Sequence, residues 1–173
     1  VFGQQIPFER DPEHNTTVTY NELQNYYQEL LKDEKQAKII DLGKTDIGKP
    51  LQLIILSKDA DFDPQSIKRK GKAVLFMNNG IHPGEPEGID ASMMFVRDLL
   101  KQNKLSSEVV ICMIPVYNIA GMINRGTTRA NQNGPNAYGF RGSGQNYDLN
   151  RDFIKTDSKN SAAFQQIFNT WQP

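Results

Sequence analysis

A histidine and a glutamate three residues apart form the sharpest chemical signal in the sequence. His82 and Glu85 lie in the glycine-flanked turn of residues 80–85, directly after an apolar run over residues 73–77. An imidazole and a carboxylate at this spacing across a tight turn can both point at one ion, and zinc accepts that pair of ligands. We therefore predict a metal site at His82 and Glu85. The simpler alternative is that His82 is a turn residue and that Glu85 interacts only with the dipole of the following helix.

A second polar segment, residues 146–153, offers groups that bind and orient. The amide of Asn150 and the guanidinium of Arg151 are suited to holding a carboxylate through paired hydrogen bonds. Asp148 is suited to accepting a hydrogen bond from the ring of a neighbouring metal ligand. In the alternative interpretation, the segment is a polar loop in which Arg151 pairs with Asp152 at the surface.

The loop that precedes this segment carries positive charge. Residues 116–150 show little periodicity, and they contain Arg125, Arg129 and Arg141 but no lysine and no glutamate. Loops this long inside a compact domain are usually functional or disordered. Because only Asp148 offsets the three arginines, we expect the loop to face an anionic ligand.

The elements that must position these residues follow from the apolar pattern. Residues 73–77 and 109–116 are continuous apolar runs, which indicate strands buried on both faces of a sheet. A helical pattern over residues 85–101 joins them, and such a strand, helix and strand form a right-handed parallel crossover. Ligands bind beyond the carboxyl ends of these strands, where His82 stands. The remaining predicted elements are a helix that starts at the capping box of Thr19, a hairpin of residues 37–42 and 51–56, and a helix over residues 158–171.

Composition excludes several classes of protein. The 173 residues carry 20 lysines and arginines against 20 aspartates and glutamates, so the chain lacks the basic field of a nucleic-acid-binding protein. No apolar stretch approaches the roughly 20 residues of a membrane span. Cys112, the single cysteine, cannot form an intramolecular disulfide.

We expect an α/β fold, with a mixed sheet whose parallel core is flanked by helices. We also expect two regions: a polar lead-in over residues 1–18 and one domain over residues 19–173.

The order of the two motifs resembles that of a known family. H-x-x-E at residues 82–85, a long glycine-rich loop and D-L-N-R-D-F at residues 148–153 resemble the zinc metallocarboxypeptidases of the carboxypeptidase A and carboxypeptidase T type, peptidase family M14. The resemblance covers roughly residues 20–173, which correspond to the amino-terminal part of such a catalytic domain. It implies a zinc-carboxypeptidase-like fold that is truncated at its carboxyl-terminal side.

The resemblance also implies an activity and roles for several residues. His82 and Glu85 would be the first two zinc ligands, and Asn150 and Arg151 would hold the terminal carboxylate of the substrate. The implied activity of the parent protein is zinc-dependent hydrolysis of the C-terminal peptide bond of a peptide with a free carboxylate. The family's habits and the absence of an initial methionine favour a secreted or periplasmic location.

One arginine of the loop is expected to polarise the scissile carbonyl and to stabilise the oxyanion. Arg141 fits this role best, and Arg129 is the alternative because loop lengths vary. The sequence departs from the family pattern at two places: residues 118–121 read N-I-A-G instead of N-P-D-G or N-P-E-G, and Gly84 stands where pancreatic-type members carry an arginine. We expect the first departure to change the local shape of the loop and the second to remove a substrate contact.

The most serious departure concerns the remaining zinc ligand. In the family's order, the third ligand, a histidine, and the catalytic glutamate come later than residue 173. His14, the other histidine of the chain, lies in the lead-in and out of motif order, so we expect it to be an exposed loop residue. The chain is therefore expected to be an incomplete and inactive fragment that binds zinc weakly. A truncated sheet edge would promote self-association.

Two alternative functions stay open. Deacylases that resemble aspartoacylase and succinylglutamate desuccinylase share H-x-x-E and an N-R pair, although the aromatic-bearing loop around residues 134–139 favours a peptidase. The second alternative belongs to another class. It is a non-catalytic module that uses the arginine-bearing loop to capture peptide carboxylates without hydrolysis.

Overall fold

The sheet that carries the site is mixed. The structure is a computed structural model and describes residues 4–127 and 134–173. In this described part the strands are β1 (Ala37–Lys44), β2 (Pro50–Leu56), β3 (Ala73–Asn78) and β4 (Val109–Ile114), in the order β1-β2-β4-β3. β1 and β2 form the predicted antiparallel hairpin, β2 pairs antiparallel with β4, and β3 runs parallel to β4. The predicted α/β fold with a mixed sheet is therefore confirmed.

Helices precede, connect and follow the strands. The helix after β3 begins at Glu87 rather than at residue 85, because Pro86 disfavours helical backbone in the residue before it. Within the described residues, no helix combines the length and the apolar character needed to cross a membrane. The helices are α1 (Pro7–Arg10), α2 (Tyr20–Leu31), α3 (Pro64–Arg69), α4 (Glu87–Lys101), α5 (Ile119–Ile123) and α6 (Lys159–Trp171), with 3-10 turns over Pro12–His14 and Leu149–Arg151.

The two faces of the sheet are covered by different helices. Successive residues of a strand point to opposite faces, so neighbouring side chains of β2 enter different cores. Ile54 lies in the core formed with α2 and α4, and Leu53 lies in the core formed with α6. On β4, Met113 lies in the core formed with α2 and α4, and Cys112 lies in the core formed with α6. Both residues are fully buried. The prediction that β4 is buried on both faces is confirmed.

β3 is less buried than its apolar sequence predicts. Leu75 is 47% exposed, and exposed or half-buried positions run along the whole strand. Among the described residues β3 lies at the edge of the sheet, with β4 on one side only. No second neighbouring strand of this part of the chain shields its outer half. The prediction that residues 73–77 are buried on both faces is therefore wrong.

The lead-in packs onto the rest of the chain. Ile6 is fully buried in the core formed with α2 and α4. Arg97 on α4 donates hydrogen bonds to Gln4 O at 3.1 Å and to the Glu9 carboxylate at 2.7 Å. Because the described part of the lead-in shares this core, it stabilises the helices that flank the site. The division of the chain at residue 18 stays a prediction.

Candidate functional site

The turn after β3 brings His82 and Glu85 to the carboxyl end of the sheet. The chain reverses at Gly80, whose φ is +63°, a backbone conformation that favours glycine. A Cβ at this position would also lie 2.9 Å from Ile89 Cδ1. Asn118 N donates to Gly80 O at 3.0 Å and ties the turn to the segment after β4. A hydrogen bond from Glu85 N to His82 O, 2.9 Å long, closes the turn.

His82 and Glu85 converge. His82 Nδ1 lies 3.7 Å from Glu85 Oε1, with the imidazole buried and the Glu85 side chain exposed. A tetrahedral zinc ion with bonds of about 2.0–2.2 Å holds its ligand atoms about 3.3–3.6 Å apart. The observed separation is therefore close to that of two ligands of one ion. The pair fits as part of a zinc site, and the assignment of His82 and Glu85 as ligands stays a prediction.

Asp148 holds the opposite nitrogen of the imidazole. Its Oδ1 lies 2.8 Å from His82 Nε2 and also accepts a hydrogen bond from Asn150 N at 3.0 Å. Partial burial acts to raise the pKa of Asp148, but the hydrogen bonds from His82, Arg141 and Asn150 N outweigh it and hold that pKa at about 2. Asp148 is therefore ionised at neutral pH and makes the contact predicted for it.

Arg141 contacts His82 and Asp148, and these residues together with Glu85 form the cluster. Its Nε and Nη2 donate to Asp148 Oδ2 at 3.0 and 2.9 Å, and its Nη1 lies 3.0 Å from His82 Nδ1. A guanidinium can only donate hydrogen bonds, so Nδ1 must be the unprotonated acceptor. The ring proton is then on Nε2, which donates it to Asp148. The cluster thus selects the tautomer whose Nδ1 lone pair faces Glu85.

Asn118 fixes the backbone from which Arg141 projects. Its side chain is fully buried, and Nδ2 donates to Arg141 O at 3.0 Å and to Gly142 O at 3.1 Å. Its Oδ1 accepts from Gly121 N at 2.9 Å and caps α5. Residues 118–121 were expected only to change the local shape of the loop, and this role of Asn118 was not predicted. The available signal was an asparagine three residues before a glycine at the end of a buried strand, a helix-capping pattern.

The absence of an arginine at position 84 has a steric reason. A Cβ on Gly84 would lie 2.8 Å from Gly139 O and 3.6 Å from Tyr138 Cδ2. Gly139 N donates to Pro83 O at 3.3 Å, and Phe140 N donates to Gly121 O at 2.7 Å, so this backbone is held in place. The segment that carries Arg141 therefore occupies the space that a side chain at position 84 would need.

We expect Gly84→Ala to destabilise the chain by about 1–3 kcal/mol, because the new methyl group must push Gly139 away from the turn. The measurement is the midpoint of thermal unfolding. Gly88→Ala is the matched control. The nearest atom there is the side-chain Asn79 Oδ1 at 3.3 Å, and a helix favours alanine over glycine. An equal loss of stability in both variants would contradict the steric explanation.

Asn150 and Arg151 lie together on an exposed turn beside the cluster. They belong to the 3-10 turn Leu149–Arg151, which Asp148 caps. Asp152 does not pair with Arg151: it is buried and accepts hydrogen bonds from Asp157 N and Ser158 N, both at 2.9 Å. The interpretation of a surface Arg151–Asp152 pair is therefore wrong. Within the described part of the chain, Arg151 makes no ion pair, and its Nη1 donates to the carbonyl oxygen of Asn150.

No third candidate metal ligand joins His82 and Glu85 in the described part of the chain. His14 is exposed and pairs with Asp11 at 2.6 Å, and this hydrogen bond raises the pKa of His14. Within residues 4–127 and 134–173, no group of three histidine, cysteine, aspartate or glutamate side chains is arranged to hold a metal ion. Arg129, the alternative to Arg141, lies outside the described residues. The third ligand, expected after residue 173, stays a prediction.

Comparison with known proteins gives one match to a family model and many solved structures with a similar fold. The model of a family described as zinc carboxypeptidase matches residues 23–172. No curated protein gives a significant match to the sequence.

Three solved structures illustrate the fold that the chain shares. A metallo-carboxypeptidase from Burkholderia cenocepacia has a TM-score of 0.59 and 19% identity over 88% of this chain. A Pseudomonas aeruginosa metallo-carboxypeptidase in complex with (2-guanidinoethylmercapto)succinic acid has a TM-score of 0.59 and 15% identity over 88%. Carboxypeptidase A from Helicoverpa armigera has a TM-score of 0.60 and 16% identity over 90%. The chain spans 38%, 36% and 43% of the lengths of these three structures, respectively.

Proposed function

This chain belongs to the zinc carboxypeptidase family, and we propose that it supplies part of the active site of an enzyme that hydrolyses the C-terminal peptide bond of peptides. The observation that carries the proposal is the convergence of His82 Nδ1 and Glu85 Oε1, 3.7 Å apart, while Asp148 holds the other ring nitrogen. Fold alone does not specify a function. This arrangement of two potential metal ligands and an orienting carboxylate supports metal-dependent hydrolysis.

His82 and Glu85 would hold the zinc ion, which when bound polarises a carbonyl group and lowers the pKa of a water molecule. Asp148 accepts a hydrogen bond from Nε2 and keeps the Nδ1 lone pair directed at the metal position. Arg141 has one nitrogen, Nη1, that Asp148 does not hold. That nitrogen is the donor that would meet the negative charge on the carbonyl oxygen of the substrate.

Asn150 and Arg151 would bind the terminal carboxylate of the peptide. Their turn is joined to the metal position through Asp148, which accepts hydrogen bonds from both His82 Nε2 and Asn150 N. An amide and a planar guanidinium together suit bidentate recognition of a carboxylate. The Pseudomonas aeruginosa structure, bound to a succinic acid derivative, supports a carboxylate ligand. Anchoring of that group would restrict cleavage to the end of a peptide.

We propose that these 173 residues alone are inactive. Catalytic zinc sites use three protein ligands, and the described residues bring two together. The third histidine and the catalytic glutamate would come from residues later in the sequence of the parent protein. A secreted or periplasmic location and self-association through a truncated sheet edge stay predictions.

Zinc titration tests the metal site directly. Calorimetry on the chain is expected to give one weak zinc site, and His82→Ala or Glu85→Gln is expected to weaken it at least about tenfold. The matched control is His14→Ala, which removes the chain's other, exposed histidine and should leave the affinity unchanged. Equal binding by the chain and by His82→Ala would overturn the proposed ligands. Hydrolysis of a chromogenic peptide by the 173 residues alone would overturn the proposed inactivity.

A further inference from the structure

Arg141 places a positive charge where a metal held by His82 and Glu85 would lie. Its Nη1 is 3.0 Å from His82 Nδ1 and 3.7 Å from Glu85 Oε1, and those two atoms are themselves 3.7 Å apart. The guanidinium thus faces both predicted zinc ligands at once. Because its Nη1–H and a zinc ion would use the same lone pair of Nδ1, the two cannot bind His82 together.

We propose that Arg141 is an internal cation that occupies the metal position and must withdraw Nη1 from His82 for zinc to bind, so that Arg141 sets the affinity of this chain for zinc. The inference rests on the proposed function, because it takes His82 and Glu85 as the ligands. Arg141 opposes zinc in two ways. It uses the Nδ1 lone pair, and its charge repels a second cation at contact distance.

Different nitrogens of Arg141 contact Asp148 and His82, so the nitrogen that competes with zinc, Nη1, is not one of those that anchor the side chain. Nε and Nη2 donate to Asp148 Oδ2, and the main-chain carbonyl of Arg141 accepts from Asn118 Nδ2. Nη1 is the nitrogen that contacts the predicted metal ligands. A displaced Arg141 can therefore keep its bond from Nε to Asp148 and remain beside the metal position. The nitrogen that contacts His82 Nδ1 would then be free to donate to a substrate carbonyl.

Charge around the site favours a divalent ion once the arginine is removed. The pair His82 and Glu85 faces Asp148 on one side, and Arg141 carries the cluster's positive charge. Replacement of Arg141 by glutamine removes that positive charge and leaves the carboxylates of Glu85 and Asp148 beside His82. We therefore expect Arg141→Gln to bind zinc roughly tenfold more tightly than the unaltered chain.

The test is a competition between the chain and a chromogenic zinc chelator at fixed pH and ionic strength. Arg69→Gln is the matched control, because it removes one exposed positive charge on α3, where Arg69 pairs only loosely with Asp63. We expect tighter binding in Arg141→Gln and no change in Arg69→Gln. Equal or weaker binding in Arg141→Gln would overturn the inference, provided that His82→Ala still loses the site. If His82→Ala binds as well as the unaltered chain, the proposed ligands fail instead.

A second measurement on the unaltered chain does not depend on the folding of a variant. Zinc is added while the side-chain nitrogen signals of Arg141 and the ring signals of His82 are followed by NMR. We expect the Nη signals of Arg141 to shift together with those of His82, while the Nε–H signal stays protected from exchange by Asp148. A shift of the His82 signals with unchanged Arg141 signals would overturn the inference.

Discussion

Asp148→Ala is expected to weaken zinc binding by about 10–100-fold, the usual cost of removing the hydrogen-bond partner of a metal-binding histidine. Asp148 Oδ1 accepts from His82 Nε2 and so keeps the proton off Nδ1, the atom that faces Glu85. Without the carboxylate, both tautomers of His82 become accessible and the ring loses its orientation. The measurement is zinc affinity by competition with a chelator.

Asp63→Ala is the control for Asp148→Ala. Asp63 also caps a short helix, through hydrogen bonds from Gln65 N and Ser66 N, but it lies at α3 and makes no contact with His82 or Arg141. We expect Asp63→Ala to lower stability by about 1 kcal/mol and to leave zinc affinity unchanged. Asp148→Asn keeps a carbonyl oxygen for His82, so its loss of affinity should be intermediate. Unchanged zinc binding in Asp148→Ala would contradict the orienting role.

Local signals in the sequence predicted local structure well. The capping box at the start of α2 forms as expected: Thr19 Oγ1 accepts from Glu22 N at 3.3 Å, and the Glu22 carboxylate accepts from Thr19 N at 2.9 Å. The convergence of His82 and Glu85 also depends on neighbouring residues in a tight turn. Such features are fixed by the conformations of a few consecutive residues, so a short window of sequence contains them.

Features that depend on distant parts of the chain were predicted less well. The apolar residues of β3 indicated burial, but exposure of Leu75 is decided by what lies beside the strand, which its own sequence does not encode. The hydrogen bonds from Asn118 to the backbone at Arg141 and Gly142 join segments more than 20 residues apart through main-chain carbonyls. Every residue type has such a carbonyl, so no side-chain pattern marks the acceptor. The likeness to a family motif, rather than spacing, pointed to Arg141.

Asp152→Ala is expected to cost about 3 kcal/mol of stability at neutral pH, because it leaves buried main-chain donors without a partner. Asp152 is 4% exposed and accepts hydrogen bonds from Asp157 N and Ser158 N at the start of α6. It directly follows the turn that carries Asn150 and Arg151. Its loss should therefore also weaken binding of a peptide with a free carboxylate, relative to the amidated peptide. Urea unfolding and calorimetry with the two peptides measure these effects.

The contribution of Asp152 to the free energy of unfolding should decrease as the pH falls. Burial acts to raise the pKa of Asp152, but hydrogen bonds from Ser161, Ser158 and the main chain lower it to about 2, from an ordinary value of 3.8. Its charge therefore contributes stability that is fully present above about pH 5 and is lost as the pH falls from about 4 to 2. The gap in unfolding free energy between the unaltered chain and Asp152→Ala should narrow by roughly 2 kcal/mol over that range. Asp157→Ala, which removes an exposed partner of Lys155, is the control and should give a small gap that varies little. A gap for Asp152→Ala that is constant from pH 7 to pH 2 would contradict the claim that the ionised carboxylate of Asp152 fastens the turn of Asn150 and Arg151 to α6.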